Sequence, residues 1–207
     1  MRVYGLTGNI GSVKSTVARL LRERGVPVVV ADQVARDLVL PGQPALAEIA
    51  SRFPGVVAPD GRLDRKALGA RVFADEAERK ALNEILHPRI AAESGSRLAA
   101  LAEEGRELAI YEAALIVENG LDALLDGLVV VTAPEDDQVR RVAARDGLAE
   151  AETRARIAAQ LPAKEKAARG DFVIDTGGGL EALAAQVDRV LGALRAGFSR
   201  SKVGGDR

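Results

Sequence analysis

The sequence predicts an α/β protein with five parallel strands and a helical insertion, and three observations carry that expectation. Short apolar runs alternate with helical patterns in the first and last parts of the chain, as in βα units whose strands are covered on both faces. The first apolar run passes through a glycine-bearing loop directly into a helix. In the middle of the chain the alternation stops, and helical patterns succeed one another with no strand between them.

The first run and its loop are Val3-Tyr4-Gly5-Leu6-Thr7-Gly8-Asn9-Ile10-Gly11-Ser12-Val13-Lys14-Ser15-Thr16. Gly8, Lys14 and Ser15 fill the first, seventh and eighth places of the phosphate-loop template, after a strand and before the helical run of Val17, Leu20 and Leu21. Val13 stands where the template has glycine. Successive N–H groups from Gly8 to Thr16, those of Gly11, Ser12 and Val13 among them, are expected to curl around a polyphosphate at the positive end of the helix. Lys14 then lies against the β- and γ-phosphates, and the Ser15 hydroxyl is offered to Mg2+.

Composition excludes several classes of function. Of 207 residues 47% are hydrophobic and 3% aromatic, enough for a core of Leu, Val, Ile and Ala. A net charge of -1 gives no bulk attraction to nucleic acid or an anionic membrane. No apolar run approaches the about 20 residues of a membrane span. With no cysteine, and a start that leads straight into the first strand without a signal-peptide pattern, a cytoplasmic location is expected.

Along the chain, Gly25 ends the first helix, and Val26-Pro27-Val28-Val29-Val30-Ala31-Asp32 reads as a buried strand that delivers Asp32 to the ligand edge of the sheet. Asp32 suits a group that orients and deprotonates an acceptor hydroxyl; it also suits a helix N-cap. Ala45 to Phe53 reads as a short helix. Asp64 to Phe73, Glu76 to Leu86 and Pro88 to Glu104 form the insertion, set at residues 61–105, with Pro88 opening its third helix. The only histidine, His87, sits at that junction, and a hydrogen-bonded structural role is the ordinary expectation for a lone histidine.

Strands resume at Glu107 to Glu112, where Glu112 is placed to hold Mg2+ through water, and at Leu128 to Val131. A helix opens at Pro134, and Arg140, Arg141, Arg145, Arg154 and Arg156 crowd the segment that follows. Each one alone fits a solvated face; as a group beside a phosphate loop they suggest a mobile lid, about residues 140–168, that lays a guanidinium on the transferring phosphoryl group. Phe172 to Asp175 is the last strand and Leu180 to Leu194 the last helix. Residues 199–207 lack a core pattern and are expected to be loose.

These stretches together resemble the dephospho-coenzyme A kinase family over nearly the whole chain. The resemblance rests on Gly5 to Ser12, Ala31-Asp32-Gln33-Val34-Ala35-Arg36, Leu63-Asp64-Arg65, Leu86-His87-Pro88, Leu115-Ile116-Val117-Glu118, Gln138-Val139-Arg140-Arg141 with Arg145, and Asp171 to Asp175. It implies a three-layer P-loop kinase fold, with a nucleotide-binding core at 1–60 and 106–198. The implied reaction is ATP-dependent phosphorylation of the ribose 3'-hydroxyl of dephospho-coenzyme A, with ATP and Mg2+ as cofactors and a monomer or small homo-oligomer as the working form. The implied catalytic residues are Lys14, Asp32 and Arg141. Gly8, Gly11, Ser12, Val13, Lys14, Ser15, Thr16, Arg141 and Thr176 are implied at the nucleotide, Ser15 and Glu112 at the metal, and Asp32, Arg36, Arg65, His87 and Glu118 at the coenzyme A substrate. The chain departs from the family pattern at Val13, Asn9, Val30, Ala114 and Thr176. Two alternatives stay open from sequence: a P-loop relative impaired by Val13, and a kinase for another small hydroxyl acceptor.

Overall fold

The computed structural model describes residues 1–200, apart from the side chain of Leu180. Its elements, in chain order, are β1 (Arg2–Gly8), α1 (Lys14–Glu23), β2 (Val28–Val30), α2 (Ala31–Asp37), α3 (Pro44–Arg52), α4 (Arg65–Ala74), α5 (Glu76–Glu103), β3 (Leu108–Glu112), β4 (Gly127–Thr132), α6 (Glu135–Asp146), α7 (Glu150–Ala158), α8 (Ala163–Ala168), β5 (Phe172–Asp175) and α9 (Gly179–Arg195). The five expected strands form one sheet in the order β2-β3-β1-β4-β5. β1 runs parallel to β3 and β4, and β4 parallel to β5. The chain therefore builds to one side of β1 and then to the other, and the loop after β1 leaves the carboxyl edge at the reversal, where open α/β sheets bind ligands.

Apolar periodicity explains why this sheet is covered. Tyr4 and Leu6 alternate onto one face of β1 and join Ile110, Val129, Val131 and Ile174. Against them lie Val17, Leu20 and Leu21 of α1 and Leu183, Val187 and Leu191 of α9, spaced as one helix face requires. The opposite face carries Leu128 and Ile116, whose methyl groups fill the space beside Gly5, and α8 packs on β4 there.

The chain divides into two compact units, residues 1–28 with 101–207, and residues 29–100. The helical unit thus begins earlier than the expected boundary at 61. The reason is packing: Val39, Ala45, Ile49 and Phe53 share a core with Leu68 of α4 and Ile85 of α5, so α3 belongs with the helices that follow it. Two local expectations also change. The strand expected to run to Asp32 stops at Val30, the last extended residue (φ -105, ψ 112), and α2 starts at once, which puts Asp32 inside its first turn. The two helices expected on either side of Pro88 are one 28-residue helix with the proline inside it. Proline there removes a backbone donor. A side chain serves the neighbouring carbonyl: Arg89 Nη1 donates to Ile85 O at 2.6 Å. Ile85, Ala81, Leu82 and Leu86 meanwhile hold the turn before the proline on the helical core.

Residues 140–168, where a lid is expected, fold as the second half of α6 with α7 and α8, all within the sheet-bearing unit. Of the tail expected to be loose, Arg200 is tied down, its Nε on Asp171 at 2.7 Å and its Nη1 on Asp122 O at 3.1 Å. Residues 201–207 lie outside the described part. Among the described residues no helix is long and apolar enough to cross a membrane.

Candidate active site

The loop between β1 and α1 keeps a phosphate-binding path at a cost in backbone strain. Gly8 is required because a Cβ there would meet Val131 O at 2.4 Å and Ser12 Oγ at 2.7 Å. Gly11 takes φ +78 against the start of α6, where a Cβ would lie 2.8 Å from Gln138. Val13 adopts the left-handed conformation, φ 54 and ψ 32, as the N-cap of α1, and among the described residues it is the only non-glycine with positive φ. A β-branched residue is an outlier there, at a cost of roughly 1–3 kcal/mol. The valine therefore follows the glycine's path instead of opening the loop.

That path leaves donors free. Ser12 N–H is taken by Asn9 O and Thr16 N–H by Val13 O, whereas among the described residues no acceptor meets the N–H groups of Gly11, Val13, Lys14 and Ser15. Four amides without protein acceptors at the positive end of a ten-residue helix are donors suited to an anion. Lys14 stands at its edge, its Nζ 3.1 Å from Glu112 Oε1, with both side chains largely buried. Register explains the pair: Glu112 ends β3 opposite Leu6 of β1.

The donor set suits a magnesium ion carried in with a nucleotide. The Ser15 hydroxyl is exposed and without a partner in the first turn of α1, and Glu112 supplies one buried carboxylate. No group of three or more acidic, histidine or cysteine side chains is placed to hold a metal among the described residues. Mg2+ binds in just this manner, through one or two protein oxygens, waters and the phosphates.

Of the crowded arginines, one turns to the loop. Arg141 Nη1 donates to Gly11 O at 3.2 Å and to Thr176 Oγ1 at 3.4 Å, with Nη2 3.2 Å from Asp137. Thr176 is buried, and its own hydroxyl donates to Thr132 O at 3.0 Å. Arg140 pairs with Asp137, Arg145 with Asp146, Arg156 with Glu152, and Arg154 with Glu135, Asp136 and Glu150. These four are the solvated salt-bridge face that each alone suggested. The Arg145 guanidinium holds the Asp146 carboxyl below its ordinary range.

Glu118, expected at the substrate, pairs with Lys166: Nζ lies 2.7 Å from Glu118 Oε1, and the lysine side chain is fully buried. Sequence patterns assigned no role to Lys166, Gln160 or Gln138, although Gln138 lies in a stretch that carries the family resemblance. Gln160 Oε1 accepts the Ile10 N–H at 2.8 Å, and Gln138, 2% exposed, lies against Gly11. All three act on residues far away in sequence, where spacing carries no signal.

In the helical unit, Asp32 is exposed at the second position of α2 and has no bonded partner. Its side chain does not cap the helix, because the N-cap is Val30. Arg36 on α2, Arg65 at the start of α4 and His87 on α5 are likewise exposed and unpartnered. The hydrogen-bonded structural role expected for His87 is therefore not seen. Asp64 performs the capping that places Arg65, accepting from Lys66 N at 3.0 Å and Ala67 N at 2.9 Å.

A sheet with a phosphate loop at its central strand, and a helix-borne lysine beside it, defines the class of protein: a P-loop nucleotide-binding protein. Comparisons with known proteins narrow the class. Residues 2–182 match the family model described as dephospho-CoA kinase. A dephospho-CoA kinase of Anaeromyxobacter dehalogenans is 56% identical over 201 residues, 97% of this chain and 95% of the relative. A solved structure from Thermus thermophilus is 38% identical, with a TM-score of 0.80, covering 96% of this chain and 98% of the other. A dephospho-CoA kinase from Campylobacter jejuni, 24% identical with a TM-score of 0.71, has the same fold over 95% of this chain and 99% of its own. The chain belongs to the dephospho-CoA kinase family.

Proposed function

We propose that the protein transfers the γ-phosphoryl group of ATP to the ribose 3'-hydroxyl of dephospho-coenzyme A, giving coenzyme A and ADP. The observation that carries this within the structure is the loop, whose amides at Gly11, Val13, Lys14 and Ser15 lack protein acceptors beside Lys14. The amides cradle the phosphates. Lys14 exchanges its contact with Glu112 for phosphate oxygens and neutralises the charge that develops between the leaving and transferring groups. Ser15 and Glu112 would hold a Mg2+ ion that comes with the nucleotide, which would supply charge screening to the triphosphate. Arg141 is held at Gly11 O and Thr176, from where its guanidinium serves the nucleotide.

At the acceptor, Asp32 orients the 3'-hydroxyl and takes its proton as the oxygen–phosphorus bond forms. Arg36, Arg65 and His87 offer hydrogen-bond donors to the anionic coenzyme portion. The division of labour between a nucleotide core, a lid at about 140–168 and a coenzyme A unit belongs to the same proposal, as do a cytoplasmic location and a monomeric or small homo-oligomeric state. Val13 keeps the loop's path, which favours an active kinase over an impaired relative.

The test is an assay with ATP, Mg2+ and dephospho-coenzyme A. Equimolar coenzyme A and ADP are expected. ADP formed only with a different hydroxyl acceptor, or ATP bound without turnover, would overturn the reading.

A further inference from the structure

The loop's first residues are gripped from behind by a chain of hydrogen bonds that closes on itself. It starts at Thr7, whose hydroxyl donates to Ala114 O at 3.0 Å. The same carbonyl accepts from Lys166 Nζ at 3.0 Å, and that ammonium also holds Glu118 at 2.7 Å. Glu118 in turn accepts the Leu161 N–H at 3.4 Å. The chain then returns to the loop: Asn9 Nδ2 donates to Leu161 O at 3.0 Å, and Ile10 N–H to Gln160 Oε1 at 2.8 Å. Both ends of this ring flank Gly8, the loop's first glycine.

Three features make the ring more than incidental packing. A fully buried lysine is held by a carboxylate and a carbonyl, so loss of either contact leaves a buried charge poorly compensated. The ring fixes Asn9 and Ile10 and leaves untouched the amides of Gly11, Val13, Lys14 and Ser15, which face the anion site. And the loop it holds contains Val13 in a left-handed conformation, which persists only where the surroundings over-determine the backbone.

We propose that the connector between α7 and α8, Gln160 and Leu161, set in place by the buried Lys166–Glu118 pair, positions the phosphate loop for nucleotide and holds Val13 against its strain. Gln160 and Lys166 are positioning residues that act through the loop and touch no substrate. The proposal rests on the kinase reading only in naming the nucleotide as the loop's ligand. It also couples the lid segment to the triphosphate site: displacement of the α7–α8 connector releases Asn9 and Ile10 together.

The test is titration of the full chain with Mg2+–ATP, beside steady-state kinetics, for Gln160→Ala, Lys166→Met, Val13→Gly and the double variant Val13→Gly with Gln160→Ala. Gln160→Ala is expected to weaken ATP binding about tenfold while KM for dephospho-coenzyme A stays within about twofold. In the Val13→Gly background the same change is expected to cost less than about threefold, because the loop no longer needs holding; a purely structural role would give equal losses in both backgrounds. ATP affinity within about twofold of wild type for Gln160→Ala and Lys166→Met, or equal losses in the two backgrounds, overturns the proposal. If Lys166→Met does not fold, Gln160→Ala in the two backgrounds decides. Wild-type protein that binds ATP yet forms no coenzyme A overturns the acceptor assignment and leaves the titration decisive for the ring; failure to bind ATP overturns both.

Discussion

Around the phosphate loop the charges are already matched: Lys14 rests on Glu112, Lys166 on Glu118, and Arg141 on Asp137 and the Gly11 carbonyl. In the helical unit, residues 29–100, the groups assigned to the acceptor, Asp32, Arg36, Arg65 and His87, are exposed without a partner. The first arrangement is pre-organised, so a nucleotide meets fixed donors and little side-chain freedom is lost. The second requires long side chains to be ordered when the ligand arrives, at about 0.5–1.5 kcal/mol each. Catalytic electrostatics need the first kind of site, because donors that must reorganise at the moment of transfer are worth less.

Breaking the pre-organised side is expected to have the largest effect. Lys14→Ala should lower kcat at least about 100-fold, some ~2.7 kcal/mol of barrier. The protein should still fold but with a lowered melting temperature, since the change leaves the buried Glu112 carboxylate without its partner. Steady-state kinetics with a melting curve checks both; turnover close to wild type would remove Lys14 from the chemistry.

Next in size is Asp32→Asn, which keeps shape and removes the proton acceptor. kcat should fall by about 100-fold or more. The melting temperature and the ATP affinity should not move, because Asp32 neither caps α2 nor bonds to another residue. A large drop in melting temperature would mean the carboxylate is structural after all.

Arg65→Ala sharpens the contrast in a different parameter. An unpartnered surface arginine that meets only bound substrate should raise KM for dephospho-coenzyme A about tenfold and leave kcat and ATP binding nearly unchanged. Equal losses in kcat would place it in the transition state instead.

The smallest effect concerns a paired arginine of the helical unit. Arg71 grips Glu78 through two bonds and holds its carboxyl below the ordinary range. A depressed carboxylate stabilises the fold above its unfolded-state pKa and loses that contribution as pH falls through the folded-state value. Arg71→Ala should therefore move the acid unfolding midpoint to slightly higher pH, followed by circular dichroism. A shift to lower pH would contradict the assigned direction.

The same comparison explains what the sequence made legible. The phosphate loop was readable because its residues are contiguous, whereas the positive φ found at Val13 was not, since the sequence showed only a valine in a glycine place. All five strands were readable from their short apolar runs, which form one sheet, the central strands β1, β3 and β4 being buried along most of their length. Pro88 misled because a local rule about helix starts was overridden by the core that α5 shares with α3 and α4. Gln160 and Lys166 were invisible for a physical reason: their bonds run to Ile10 and to Ala114, 150 and 52 residues away, and nothing in their neighbourhood signals a partner at that distance.

Hydrogen exchange of the full chain, alone and with each ligand separately, tests the contrast between the two units most directly. With Mg2+–ATP, new protection is expected in peptides spanning residues 8–17, while peptides from 29–100 change little. With dephospho-coenzyme A the pattern should reverse, with protection gained around residues 32–40 and 62–90. Protection of the helical unit by ATP alone, with the loop unchanged, would contradict the assignment of nucleotide to the loop and of acceptor to the helices.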